Sequence, residues 1–134
     1  MRYSRFRKAR EEMLRADYSG PARIGCAVYY KGTLLARGHN SNKTSPLQKR
    51  YNTYRYKNCD TPDKTHAEMA ALKKIRWLDI DFSQVEVYTY RELKNGNLSL
   101  SRPCESCLAF IKQLGIKRIC YTTPDGYAEE RLIY

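Results

Sequence analysis

The sequence lacks a long hydrophobic run, and this absence limits the classes of protein it can encode. Its longest apolar stretch, about residues 24–30, is far too short to cross a membrane. Residues 1–8 are rich in Arg and no apolar segment follows them, which argues against a secretory signal. We therefore expect a cytoplasmic protein with no membrane partner, in which thiols stay reduced.

Acidic residues are scarce, and the cysteine spacing of disulfide scaffolds is missing. The 134 residues include 25 Lys and Arg but only 14 Asp and Glu, a net charge of +11. Such an excess favours nucleic acid as a partner, with an anionic small substrate or simple solubility as alternatives. The five cysteines follow no small-scaffold spacing, which favours free thiols or metal ligands. The length predicts a single domain over residues 1–134.

The order of sequence patterns predicts an α/β protein with one sheet covered by helices. An amphipathic helix is expected over Tyr3–Ala16, within an N-terminal segment 1–19. An Ala-rich helix is expected from Thr65 to about Leu78, and another over residues 104–114. The turn Pro124-Asp125-Gly126 predicts a fifth strand that returns antiparallel to the fourth.

A long polar segment, residues 41–64, separates the first two predicted strands from the Ala-rich helix. It is basic and rich in Tyr, and a loop this long in a compact domain is usually functional or mobile. Rings stack on bases and cations follow phosphates in single-strand grooves. Tyrosines folded onto the protein body are the alternative. The candidate nucleic-acid contacts are Tyr51, Tyr54, Arg55 and Tyr56.

Four residues in two short motifs suit a metal site. His66 and Glu68 begin one predicted helix, and Cys104 and Cys107 begin another. Helix N-termini gather at one edge of an α/β sheet, so the two motifs can meet. One imidazole and two thiolates suit tetrahedral zinc, and an open fourth position is the catalytic arrangement. Glu68 is close enough to the ligand His66 to move protons without binding the metal.

A Cys-x-x-Cys spacing alone has other interpretations. It could be a redox pair or two small core residues, but nothing else in the chain suggests a thioredoxin unit. A structural zinc site would need a fourth protein ligand, and the candidates Cys59, Cys120 and His39 lack paired spacing. The predicted cofactor is therefore one catalytic zinc ion.

The two motifs together resemble a known signature. His66-Ala67-Glu68 followed by Pro103-Cys104-Glu105-Ser106-Cys107 is similar to the His-x-Glu and Pro-Cys-x-x-Cys pattern of the cytidine deaminase-like superfamily. The resemblance covers about residues 20–134. It implies a three-layer α/β/α sandwich with a five-stranded mixed sheet.

The resemblance also implies a reaction and further site residues. The reaction is hydrolytic deamination, in which water activated by zinc attacks C4 of cytosine or C6 of adenine and Glu68 transfers the protons. From the geometry of the two helix starts, we also expect the backbone N–H groups of Ala67 and Cys104 to help position the water. Asn40 falls where the superfamily often places a substrate-contacting Asn, although it could merely close a turn.

The expected substrate is cytosine in a single-stranded nucleic acid, because a base stacked in a duplex is out of reach of the active site. DNA is favoured over RNA. The histidine version of the first motif resembles that of the tRNA-adenosine, deoxycytidylate and polynucleotide-cytosine deaminase branches of the superfamily. An antiparallel fifth strand instead resembles free-nucleoside enzymes and several bacterial toxin deaminases that attack DNA or RNA. Free nucleotides or nucleosides, tRNA adenosine and a non-catalytic zinc protein that binds nucleic acid are the alternatives.

Two arginines are further candidates for contact with the substrate. Arg91 and Arg102 flank the connection before Pro103, where they could face an anionic substrate or serve as ordinary surface charges. Compact members of the superfamily often self-associate, so a homo-oligomer is a further expectation.

Overall fold

The computed structural model describes residues 1–16, 22–43, 45–52 and 64–134. It contains four α-helices and five strands within these residues, together with short 3₁₀ turns at Tyr3–Arg5 and Phe82–Gln84. In chain order the elements are α1 (Phe6–Arg15), β1 (Gly25–Tyr30), β2 (Thr33–His39), α2 (Pro46–Tyr51), α3 (Ala67–Leu72), β3 (Val85–Tyr90), α4 (Glu105–Leu114), β4 (Arg118–Thr123) and β5 (Gly126–Arg131).

The five strands form one mixed sheet in the order β2-β1-β3-β4-β5. β1 pairs antiparallel with both β2 and β3, whereas β3 and β4 are parallel and are joined through α4. β5 pairs antiparallel with β4, as the turn at Pro124-Asp125-Gly126 predicts. This sheet confirms the expected α/β class and the expected direction of the fifth strand.

Helices cover both faces of the sheet. α1 packs on one face with Ala27, Tyr29 and Tyr88, while α3 and α4 pack on the other with Val28 and Val87. Alternate strand residues therefore point to opposite cores, as a pleated strand requires. Burial of these two apolar layers is the main force that holds the three layers together.

Two glycines allow the helices to approach the sheet closely. A Cβ at Gly25 would lie 1.8 Å from the Ala9 carbonyl oxygen of α1. A Cβ at Gly38 would lie 2.6 Å from the Ala71 nitrogen of α3. Both distances are far below van der Waals contact, so the seating of α1 and α3 depends on the absence of side chains there.

The segment over residues 41–64 differs from the expected continuous loop, because part of it is helical. Ser45 caps α2 by accepting a hydrogen bond from the Gln48 N–H at 3.2 Å, and Pro46 occupies the first turn. Ser before Pro is a strong helix start. Tyr51 then packs against Phe110 of α4, with ring centroids 5.0 Å apart.

The Ala-rich helix is shorter than its periodicity predicts. α3 ends at Leu72 rather than near Leu78, and backbone turns follow, such as Ile75 N–H to Leu72 O at 3.1 Å. Ile75 is still buried from this turn, so the apolar spacing persists after the helix has ended. Among the described residues, no helix has both the length and the apolar content needed to span a membrane.

Candidate metal centre

Two of the predicted ligands occupy equivalent positions in different helices. His66 is the N-cap of α3 and Cys104 is the N-cap of α4, and both have extended backbone angles. Neither side chain makes a capping hydrogen bond, so both remain directed to a shared point instead of to their own helices. Cys107, one turn into α4, is the third member of the group.

The ligand atoms have the separation that zinc requires. The Nδ1 atom of His66 lies 3.4 Å from Sγ of Cys104 and 3.5 Å from Sγ of Cys107. Tetrahedral zinc with bonds of about 2.05 Å to N and 2.3 Å to S places these atoms about 3.5 Å apart. All three atoms lie within 4.8 Å of one another. The donor set and its spacing therefore fit a zinc ion with one position left open.

The electrostatics at Cys104 also suit a metal cation, while the hydrogen bond with Cys104 and burial raise the pKa of the neighbouring Cys107. A hydrogen bond with Cys107 lowers the pKa of Cys104 to about 3, against the opposing effect of burial, and His66 contributes further. Cys104 is thus a thiolate at neutral pH. The thiolate is the form that binds metals.

Glu68 lies beside this group without belonging to it. Its side chain is 4 % exposed, and its carboxyl group contacts the Cys107 thiol. Burial raises the pKa of Glu68 above its usual value, and the neighbouring His66 offsets part of the increase. A buried carboxyl with a raised pKa next to a metal site is suited to accept and return a proton.

A residue that was not predicted from the sequence holds the His66 side of the centre. Gln48 of α2 is fully buried, and its Oε1 accepts a hydrogen bond from the His66 N–H at 3.1 Å. Its Nε2 donates to Asn52 Oδ1 at 2.9 Å. A lone glutamine in a polar segment carries no sequence signal for this role, apart from the Ser45-Pro46 helix start that places it.

A buried hydroxyl network holds the Cys104 side. The Ser101 Oγ donates to the Thr89 carbonyl at 3.0 Å and accepts from the Thr122 N–H at 2.8 Å. Thr122 Oγ1 in turn donates to the Ser99 carbonyl at 2.7 Å. These contacts fasten the segment before Pro103 to the ends of β3 and β4, and this role was not predicted either.

Two predicted substrate contacts, Asn40 and Tyr51, have partners within the protein. Asn40 is 7 % exposed; its Oδ1 accepts from the Ile24 N–H at 3.0 Å and its Nδ2 donates to the Ala22 carbonyl at 2.6 Å. Tyr51 departs from the expected stacking role, since its ring is enclosed against α4 and its hydroxyl bonds to Gln113. A ring in that position cannot offer its face to a base.

The two candidate arginines both have partners within the protein. Arg102 forms a two-point ion pair with Glu130, with both N–O distances at 2.9 Å. Arg91 is half-buried, and its backbone N–H donates to Thr122 Oγ1 at 3.2 Å. The candidate contacts Tyr54, Arg55 and Tyr56, like Cys59, lie outside the described residues.

Comparison with known proteins agrees with this geometry. The model of the cytidine and deoxycytidylate deaminase zinc-binding region matches residues 3–123. The chain belongs to this deaminase family. The resemblance seen in the two motifs is thereby confirmed, and zinc is confirmed as the cofactor type of the domain.

One relative in the deaminase family is similar in sequence. The tRNA-specific adenosine deaminase subunit tad2 of Schizosaccharomyces pombe is 28% identical over 118 residues. The match covers 87% of this chain but 24% of that protein, so the chain spans about a quarter of the relative's length.

Solved structures of deaminases share the fold. The dCMP deaminase of cyanophage S-TIM5 has a TM-score of 0.61 at 21% identity, over 92% of this chain and 86% of that one. The cytidine deaminase of Burkholderia pseudomallei has a TM-score of 0.66 at 14% identity, over 98% and 92%. That of Mycobacterium leprae has a TM-score of 0.57 at 16% identity, over 94% and 90%.

Proposed function

We propose that the protein is a zinc-dependent hydrolytic deaminase that converts cytosine to uracil in single-stranded nucleic acid, with DNA preferred to RNA. The chemistry rests on one observation above all: a His-Cys-Cys group with zinc spacing has a buried carboxyl, Glu68, beside it. Membership of a deaminase family supports the same reaction. The excess of positive charge supports a polyanionic substrate.

Each residue of the centre has a defined task in this proposal. His66, Cys104 and Cys107 would hold zinc, which when bound supplies water of lowered pKa as the nucleophile. Glu68 accepts a proton from the attacking water and delivers it to the ring nitrogen of cytosine. It then helps transfer a proton to the departing amine, so that water and cytosine yield uracil and ammonia.

A free nucleotide or nucleoside is the second candidate substrate. The antiparallel pairing of β5 with β4 is consistent with it, since that arrangement resembles free-nucleoside enzymes as well as several toxin deaminases that act on DNA or RNA. The solved relatives, a dCMP deaminase and two cytidine deaminases by name, point the same way. The tRNA-specific relative instead makes adenosine in RNA a third substrate to include in the test.

A substrate panel combined with Glu68→Gln tests both parts of the proposal. The protein is incubated with single-stranded DNA, single-stranded RNA, cytidine, deoxycytidine and deoxycytidylate, and uracil or inosine is measured by mass. We expect uracil in single-stranded DNA, with a rate about 100- to 10,000-fold lower for Glu68→Gln and unchanged zinc content.

Glu105→Gln is the matched control, because Glu105 lies within the second motif but is exposed. We expect it to retain the wild-type rate. Turnover of free nucleotides alone would refute the polynucleotide substrate, and full activity of Glu68→Gln would refute the mechanism.

A further inference from the structure

A cleft of about 860 Å³ runs along the outer side of β2, an edge strand of the sheet. Its walls come from β2, the end of α1, and α3 with the residues that follow it. Positively charged side chains dominate the lining. The charged residues are Arg15, Arg37, Lys43, Lys73, Lys74 and a single carboxylate, Glu12.

Most of the positive charge in the β2 cleft is uncompensated. Glu12 is buried and contacts Arg15 at 3.1 Å and Arg37 at 3.5 Å, and Glu11 lies 3.6 Å from Arg37, so these two carboxylates neutralise the arginine side of the cleft. The three lysines form no ion pair with any residue in the described ranges. Lys74 donates only to a neutral group, the Arg37 carbonyl, at 2.6 Å.

The β2 cleft begins at the metal-site end of the protein. Thr65, which precedes the ligand His66, lines the cleft. Hydrogen bonds hold the Lys43 segment against it, from the Thr65 N–H to the Lys43 carbonyl at 3.0 Å and from the Ser41 N–H to the Thr65 carbonyl at 3.1 Å. Lys73 and Lys74 lie beyond the other end of α3, whose six residues span about 9 Å. A row of cations therefore leads away from the metal centre.

We propose that the β2 cleft holds the sugar-phosphate backbone of a single nucleic-acid strand whose target base lies at the metal centre. This inference rests on the polynucleotide part of the proposed function. Lysines at both ends of the cleft match the regularly spaced charges of a phosphate backbone. Among the described residues that line it there is no Phe, Tyr or Trp, and the imidazole of His39 is held by a 2.9 Å hydrogen bond with Glu12, so the cleft offers no tyrosine-type stacking platform.

Charge also decides between a nucleic acid and a second copy of the chain. Two copies joined along β2 would bring their uncompensated lysines towards each other, which is unfavourable. A polyanion removes that repulsion and releases its counterions on binding. The strand in the cleft is therefore bound through electrostatics, with affinity that falls steeply with salt.

The test compares Lys43→Gln/Lys73→Gln with Lys112→Gln/Lys117→Gln, each without two positive charges. Lys112 and Lys117 lie near the end of α4 and the start of β4, away from the metal centre. Fluorescence anisotropy with labelled single-stranded DNA and RNA of about 20 nucleotides gives affinity against salt. We expect about tenfold weaker binding for the cleft variant, and a salt slope smaller by about 1.4.

The control variant is expected to bind within about twofold of wild type, since its lysines lie outside the proposed path. Zinc content and melting temperature verify that both variants are folded. If the wild type binds strands but both variants weaken equally, the cleft assignment is wrong. A changed sedimentation coefficient with unchanged DNA affinity would make the cleft an interface between copies and overturn the proposal. If the wild type binds no strand, the polynucleotide function itself fails.

Discussion

Two clusters in the described residues offer metal-ligand atoms at metal-like spacing, and they lie on opposite faces of the sheet. One is the group of His66, Cys104 and Cys107 beside α3 and α4. The other is the group of Glu86, Cys120 and Glu129 on the α1 side. The two groups share the same number of donors but differ in their surroundings.

The second cluster is already neutralised by the protein. Arg118 contacts Glu129 at 2.9 Å and Glu86 at 3.4 Å, and Arg5 also pairs with Glu86. A cation would have to displace these guanidinium groups. In the first cluster the largest influence on the pKa of Cys104 is its hydrogen bond with the candidate ligand Cys107, and His66 lowers that pKa further against the effect of burial. Proximity of donor atoms is therefore a weak criterion for a metal site, and negative charge that the protein does not neutralise is a stronger one.

Exchange of one buried cysteine for serine in each cluster should give the largest contrast. Cys107→Ser removes a sulfur ligand from the first cluster, so bound zinc should fall from about one ion per chain to near zero after dialysis. Cys120→Ser should leave zinc content unchanged, because its cluster binds no metal. Atomic absorption on both purified variants measures the difference. Zinc loss in Cys120→Ser would show that the second cluster also contributes to metal binding.

Thiol reactivity should distinguish the two clusters in the unmutated protein. In zinc-stripped protein, Cys104 has a pKa lowered to about 3 and is partly exposed, so it is a reactive thiolate. Burial raises the pKa of Cys120 to about 11, so it stays a protonated, enclosed thiol at neutral pH. Iodoacetamide at pH 7 followed by peptide mass mapping should label Cys104 first, and added zinc should protect it. Labelling of Cys120 ahead of Cys104 would contradict this assignment.

The motifs made the first cluster predictable, because each is short and local. His66 and Glu68 are two residues apart, Cys104 and Cys107 three apart, and α/β topology brings such helix starts together. The fold class followed from the same topology and from the turn at Pro124-Asp125-Gly126. These signals depend on spacing along the chain and on turn chemistry, both of which a sequence displays.

The supports of the centre could not be predicted, because they are contacts between distant segments. Gln48 meets His66 across 18 positions, and Ser101 meets Thr122 across 21. Tyr51 illustrates the opposite error. Its place in a basic, Tyr-rich segment favoured a surface role, whereas packing on α4 encloses it. Burial of an aromatic ring outweighs its local polar context, and only the tertiary structure reveals the partner.

Gln48→Leu should weaken the first cluster from the α2 side. It removes the acceptor for the partly buried His66 N–H, at a cost of about 1–3 kcal/mol in the free energy of unfolding. We expect zinc affinity, measured by chelator competition, to fall about tenfold or more. Gln113→Leu is the matched control on α4, because Gln113 bonds Tyr51 and not His66. Equal zinc affinity in the two variants would show that Gln48 is only a packing residue.

Ser101→Ala should give the smallest effect and test whether the clusters are supported separately. The variant removes the Oγ that joins Thr89 and Thr122, with an expected loss of about 1–3 kcal/mol in unfolding free energy by urea titration. Because Ser101 touches no ligand directly, zinc affinity should fall by less than about tenfold.

Ser99→Ala is the matched control, since the Ser99 hydroxyl makes no hydrogen bond within the described residues and Thr122 bonds only its carbonyl. Its unfolding free energy should change by less than about 0.5 kcal/mol. In both variants Cys120 should stay resistant to iodoacetamide, although Thr89 Oγ1 also lies 3.5 Å from the Cys120 carbonyl. Exposure of Cys120 in Ser101→Ala would mean that one network supports both faces of the sheet, and the two clusters would then be coupled through the strand ends.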